Sequence, residues 1–561
     1  MKTTKALLII LIITLKNTTC FAQWNTDTFI NNPICTVQND QNASKIVSDG
    51  SGGAIIVWYD YRNGTSNGDL YAQRINSNGV IQWTPDGIPI CTAPFNQTNL
   101  TVISDGNGGA IIAWNDKRTN NFDSNLYVQK ISSSGVTQWN NNGIAICSAP
   151  FAYNKGEMIP DGNGGLIIAW PDSRSLDNTM DIYAQYINSA GIAQWTTDGV
   201  LIYNNPTNAS NFIKIVSDGS NGAIITWQDA RNVAGFDIYA QRVNSSGVTQ
   251  WTNNGIVICN ATDSQAYPAI ISDNNGGAII TWSDLRNSAT SASSDIYAQR
   301  VNSNGIVQWT NNGIAICNSI NGQNSSILVS DNNGGAIITW EDRRTSANSA
   351  DLYAQRINSN GIVQWTTNGV PISATAYNQW YQEIIPDGNG GAIIAWADYR
   401  NGTNNGDIYA QRINSTGVTQ WTTNGAAIST ASNSQSSTQL ILDDNGGAII
   451  TWTDYRSGTN NDIYAQRINM NGNLSVTSQS IHETFLNIFP NPSKGNITFQ
   501  SAENLAEIQI INQLGETVYK KNSVNSNKKE LDLGNLADGI YIYNIISENN
   551  IISNGKLIIA H

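Results

Sequence analysis

A carboxylate two residues from a guanidinium can hold an ion pair or move a proton, and this chain repeats that pairing eight times. Asp60 with Arg62, Asp116 with Arg118, Asp172 with Arg174, Asp229 with Arg231, Asp284 with Arg286, Asp342 with Arg344, Asp398 with Arg400 and Asp454 with Arg456 each follow a tryptophan in the pattern Trp-x-Asp-x-Arg. In an extended strand residues two apart share a face, so each pair can close on itself or reach a neighbouring unit. Recurrence in every unit points to architecture, because one active site needs asymmetry. Glutamate is scarce among the repeats, with Glu157, Glu341 and Glu383 alone. A glycosidase needs two carboxyls about 5 to 9.5 Å apart, one of them protonated, and these are the residues from which it would draw. Both histidines, His482 and His561, lie outside the repeats. A Ser-His-Asp triad, a His-ligated zinc and a histidine base are thereby removed from the repeat region. No cofactor is expected except that calcium stays open: turns such as Asp161-Gly162-Asn163-Gly164 offer it oxygens, yet they lack the further acidic residues of an EF-hand loop, which favours a plain hairpin.

What differs between units is the better guide to binding. The segment before each Asp-Gly turn varies most and carries Phe95, Phe151, Tyr153, Phe212, Tyr267, Tyr377, Trp380 and Tyr381 among Asn, Gln and Ser. Aromatic faces in polar surroundings suit a sugar or a peptide. Trp380, Tyr381, Tyr377 and Tyr267 are the candidate ligand-binding residues.

The elements that position these residues come from the phrase Gly52-Gly53-Ala54-Ile55-Ile56-Val57-Trp58. It returns seven more times, with tryptophans 56, 56, 57, 55, 58, 56 and 56 residues apart, and a period this regular marks a repeat architecture. Each phrase leaves a glycine turn and runs apolar without alternation, as a strand covered on both faces does. A second hairpin follows, for example Asp69 to Ile75 and Val80 to Trp83. One period therefore holds about four short strands, which predicts an all-β, eight-bladed β-propeller of four-stranded blades. Sixteen of the 17 tryptophans fall into two sets of eight, one ending the apolar strand and one in Gln-Trp; packing between blades is their expected work. Mature Gln23-Trp24 and Pro33-Ile34-Cys35 match Gln82-Trp83 and Pro89-Ile90-Cys91, so the N-terminal strand can complete the last blade and leave no free edge. Asn473 to Val476 competes for the same slot.

With 29 Lys and Arg against 42 Asp and Glu, the net charge of -13 argues against nucleic acid or an anionic membrane as partner. Residues 1–22, with Lys2 and Lys5 before the apolar run Ala6 to Leu15, read as a signal peptide. No other segment has the length of a membrane span. Cys35, Cys91, Cys147, Cys259 and Cys317 share one place in the repeat; an odd number on separate blades makes a poor disulfide framework, and small buried residues are expected instead.

After the repeats (residues 23–471) and a linker (472–483), the composition changes. Residues 484–561 read as seven short strands, Phe485 to Phe489, Asn496 to Gln500, Glu507 to Ile511, Thr517 to Lys520, Glu530 to Leu533, Ile540 to Ile546 and Lys556 to Ile559, hence a small Ig-like β-sandwich. Phe489-Pro490-Asn491-Pro492 with Gly495, Asn512 to Gly515, Leu536 to Tyr541 with Gly539, and Gly555-Lys556-Leu557-Ile558-Ile559 resemble the C-terminal sorting domain of the type IX secretion system of Bacteroidetes. The resemblance implies recognition of this tail by the type IX machinery, through Pro490, Asn491, Pro492, Gly495, Gly515, Gly539, Tyr541, Gly555 and Lys556. It also implies release outside, or attachment at the outer-membrane surface of a Gram-negative cell.

The combined expectation is a secreted or surface propeller that binds glycan or protein without catalysis. A polysaccharide hydrolase competes with it, since the Ser-Asp-x-x-Gly-Gly turns are loosely similar to sialidase Asp-boxes, though the spacing differs and no arginine triad matches. A structural surface-layer component is the third reading.

Overall fold

A computed structural model describes residues 24–65, 67–119, 124–147, 155–174, 180–204, 212–232, 235–288, 293–346, 349–474, 487–512, 516–547 and 552–561. The signal peptide, Phe151, Tyr153, Gly515 and most of the linker lie outside them. Among the described residues there is no helix; eight antiparallel four-stranded sheets are followed by one of five strands. The chain divides into two compact units, Met1–Val476 and Thr477–His561.

Blade 1 runs outward from the axis as Gln41–Ser48, Ala54–Asp60, Asp69–Ile75 and Ile88–Cys91, and blades 2 to 7 repeat this order. The innermost strands of blades 2 to 8 are Gln97–Ser104, Glu157–Pro160, Ile213–Ser217, Gln265–Ser272, Gln323–Ser330, Gln379–Pro386 and Gln435–Leu442. Each touches its counterparts in the blades on either side, and so the ring closes around a central channel.

The unbroken apolar strand has a direct physical cause. Ala54, Ile56 and Trp58 pack on blade 8, whereas Ile55 and Val57 pack on blade 2. Eight such core clusters occur, each shared by two adjacent blades, so no blade has a core of its own. The eight strand-ending tryptophans are at most 1% exposed. Burying about 200 Å² of indole stabilises each interface by roughly 5 kcal/mol at most. The turn before the strand needs its second glycine because a Cβ on Gly53 would stand 2.4 Å from the Ile75 carbonyl oxygen.

Blade 8 settles how the ring is shut. Its sheet runs Gln435–Leu442, Ala448–Asp454, Asp462–Ile468 and then Asn32–Cys35 from the N-terminus. Trp24 takes the place of the second tryptophan set, donating its indole N–H to the Ser77 carbonyl at 2.9 Å as Trp83 donates to Ser133. Leu474 instead bridges Ile468, the role Ile81 plays toward Ile75 in blade 1.

In the C-terminal unit, the seven short strands expected are five. Asn496–Ile511 and Thr517–Asp532 are long, irregular strands that each absorb two of the predicted ones. Along its length Asn496–Ile511 pairs first with Asn487–Phe489 and then with Gly539–Ser547 on one side, and with Thr517–Asp532 on the other, so one strand joins the whole five-stranded sheet. Phe499, Ile508, Ile510, Ile545 and Leu557 fill its core.

Candidate functional site

The eight Trp-x-Asp-x-Arg motifs are built alike. In blade 5 the Asp284 carboxylate, fully buried, accepts the Trp282 indole N–H at 2.7 Å and the Arg286 Nε at 2.8 Å. Arg286 also donates to the Asn312 carbonyl and lies over the Tyr297 ring, 3.9 Å from its centroid. In blade 8 the same guanidinium, Arg456, donates to Phe29 and Ile30 carbonyls and so ties down the N-terminal segment. The cysteines of the repeat are buried thiols, not joined in disulfides, beside these pairs, and burial pushes Cys259 up to about 12. The Asp-Gly turns are equally self-contained. One oxygen of Asp273 accepts the Asn275 and Gly277 amides, and the other pairs with Arg300 at 2.9 Å.

Asymmetry appears on the innermost strands. Four residues before each turn aspartate, at a position paired in every blade with the residue preceding the strand-ending tryptophan, stand Lys45, Thr101, Glu157, Lys214, Ala269, Ile327, Glu383 and Gln439. Two residues earlier stand Ala43, Asn99, Lys155, Phe212, Tyr267, Ser325, Tyr381 and Ser437. In six blades a bulge holds this second residue at a left-handed φ of 50 to 57°. The connections from outermost to next innermost strand, and from second to third strand, open on this same face. The variable loops and the bulges therefore share one mouth of the channel.

The bulge amides are answered from the preceding blade by the residue after tryptophan. Gln228 accepts the Tyr267 N–H at 3.1 Å, Thr453 accepts that of Ala43 at 3.1 Å, and Glu341 accepts that of Tyr381. Burial pushes the Glu341 carboxyl up to about 7, against the lowering pull of Arg343.

Five lysines occur between Trp24 and Leu474, and three of them, Lys45, Lys155 and Lys214, line this mouth, as do Glu157 and Glu383. On blades 3 and 4, Glu157 Oε1 accepts Lys214 at 2.8 Å and Lys155 at 3.1 Å. Burial alone would raise this carboxyl, but the two ammoniums hold it below its usual range. On blades 1, 8 and 7, Lys45 Nζ donates to Gln439 Oε1 at 3.1 Å, and Gln439 Nε2 donates to Glu383 Oε1 at 2.5 Å. Here burial outweighs the nearby ammoniums. It raises the Glu383 carboxyl and lowers the Lys45 ammonium, each away from its charged form. A cavity of about 250 Å³ opens at this relay, lined by Lys45, Tyr381, Gln382, Glu383, Thr438 and Gln439.

Of the sequence candidates, Tyr381 and Tyr267 occupy equivalent bulges and are 59% and 54% exposed. Tyr267 meets Phe212 edge-on at 4.8 Å, and Trp380 stands behind Tyr381, wedged against Tyr399 at 5.6 Å. Tyr377 is an exposed residue of the loop leading into the same strand. Sequence reasoning singled out the glutamates but missed the three lysines. Aligning the eight innermost strands and asking which column changes charge would have found them.

In the sorting unit Asn491, between Pro490 and Pro492, donates to the Lys556 carbonyl at 2.8 Å and accepts the Ile558 N–H at 2.9 Å, stapling the closing strand that contains Gly555. Tyr541, two residues into the strand begun by Gly539, donates to the Ala537 carbonyl at 2.9 Å. Gly495 lies so close to Gly534 that a Cβ would meet its Cα at 2.6 Å.

Residues 487–560 match the family model described as a secretion system C-terminal sorting domain, so the chain carries a type IX sorting tail and is marked for export to the cell surface. No curated protein sequence matches the chain. Among solved structures it is similar to PorZ, an essential surface component of the type IX secretion system of Porphyromonas gingivalis (12% identity, 92% of this chain and 70% of that one, TM-score 0.36). It is similar also to a PL25 ulvan lyase (12%, 81% and 97%, TM-score 0.42) and to a protein of unknown function from Dyadobacter fermentans (12%, 56% and 94%, TM-score 0.35). Likenesses of this strength carry neither ligand nor activity to this chain.

Proposed function

We propose that the exported propeller is a non-catalytic binding module whose ligand, a glycan, sits over the mouth of the central channel. The observation that supports this is the concentration of asymmetry there. Two of the ring's three glutamates, Glu157 and Glu383, three of its five lysines and the exposed rings of Tyr381 and Tyr267 gather where eight near-identical units stop being identical. Tyrosine faces beside amides, hydroxyls and charged groups give the mixture of stacking and hydrogen bonding that sugars need. A glycan array probed with the full-length secreted protein tests the reading. Binding is expected, with Tyr381→Ala and Tyr267→Ala each weakening it; silence across the array, or binding indifferent to both changes, would sink it.

One observation favours a hydrolase. Glu383 and Glu157 stand on blades 7 and 3, on opposite walls, with proton affinities displaced in opposite directions, as an acid and a base require. Release of reducing ends from a bound polysaccharide, lost in Glu383→Gln, would establish it.

A further inference from the structure

We propose that the glycan bound at this mouth is anionic, its carboxylate or sulfate ester seated on Lys45 in the cavity between blades 7, 8 and 1. A second acidic group meets Lys155 and Lys214 across the channel. This inference rests on the binding reading above and adds the chemical class of the ligand.

Three facts carry it. Lys45 is partly buried, yet among the described residues no carboxylate lies within ion-pair distance. The neutral amide of Gln439 is interposed between it and Glu383. A partly buried ammonium whose only direct partner is an amide, with the Glu383 carboxyl held one side chain away, has no counter-ion in contact, and a ligand anion supplies one. Next, an ammonium has three N–H donors, and among the described residues each of these lysines makes one side-chain hydrogen bond, Lys45 to Gln439 and the other two to Glu157. The mouth thus presents an excess of charged donors and calls for a ligand rich in acceptors. Finally, lysine is rare in a protein of net charge -13, and gathering three against two carboxyls makes this mouth a cationic island on an acidic molecule. The exposed Tyr381 ring, lining the same cavity, supplies the flat face that a sugar stacks on and that an acidic peptide has no need of.

The test uses the full-length protein titrated calorimetrically with oligogalacturonate, its methyl ester, dextran sulfate and poly-L-glutamate. Binding of oligogalacturonate or dextran sulfate is expected, the first assigning a carboxylate and the second a sulfate ester. Lys45→Gln should weaken it about tenfold while Lys45→Arg largely retains it. Lys155→Gln, at a half-exposed site where folding is not at stake, should weaken it less. If the methyl ester binds as well as the acid and Tyr381→Ala still abolishes binding, the ligand is a neutral glycan: the binding reading stands and this inference falls. Equal binding of poly-L-glutamate would overturn the sugar assignment, and no binding of any probe would overturn the anionic assignment, leaving the glycan array to judge the broader reading.

Discussion

At the scale of single residues the molecule uses one carboxylate chemistry for two purposes. Asp284 and its counterparts are locked by an indole, a guanidinium and backbone amides, so removing one should leave a guanidinium stranded under a tyrosine. Asp284→Ala is expected to lower unfolding free energy by about 3 kcal/mol, read by denaturant titration; a change within a few tenths would show the pair to be ornamental. Glu341 behaves differently, since its carboxyl titrates near 7 rather than its ordinary 4.5. The native state therefore keeps a proton that the unfolded chain has released, and this group's favourable contribution is full below 4.5 and gone once pH passes 7. Glu341→Gln copies the Gln228 arrangement of blade 4. It should melt with the parent near pH 4 and above it near pH 8; an offset independent of pH would refute the assignment. The paired Asp and Arg were legible in the sequence because their spacing is local. The Lys45–Gln439–Glu383 relay was not, because Lys45 stands 394 residues before Gln439 and meets it only once the ring closes.

At the scale of the element, the decisive strand is one of only four residues. Asn32–Cys35 closes blade 8, and the segment leading to it is held by Arg456, by the Asn31 amide on the Ile428 carbonyl and by the paired hydroxyls of Thr28 and Thr430. Trp24→Ala should cost about 3 to 5 kcal/mol and broaden the unfolding transition, because the strand it anchors seals two neighbours. Trp309→Ala, at the same slot inside the ring, serves as comparison; if the two variants unfold with equal sharpness, closure has no special role. The strand count per blade was readable from the turns, but the sequence left two segments competing for the closing slot. Register decides it: Gly472-Asn473-Leu474 is the counterpart of Gly79-Val80-Ile81, already required by the third strand's own turn. The sorting unit misled strand counting for the opposite reason. Bulges within a continuing strand look, in sequence, like the gap between two.

At the scale of the whole molecule, the arrangement of cores predicts how it comes apart. Every propeller cluster is shared by two blades, whereas the sorting tail fills its core from its own strands. A ring of shared interfaces loses two of them whenever one blade opens, so it should melt as a unit, while the tail, a separate compact body, should melt in its own transition. Residues 24–474 alone are therefore expected to give the main transition of the full chain at an unchanged temperature by differential scanning calorimetry. Cells making residues 1–474, with the leader kept and the tail removed, should hold the protein inside the outer membrane, since the residues that address the chain to the type IX machinery are gone. A main transition lowered by several degrees would show that the ring leans on its tail, and surface display of the fragment would show that the address lies elsewhere. Folding and sorting are then separable: the strand that shuts the wheel lies near one end of the chain, and the sequence that addresses it to the type IX machinery lies at the other.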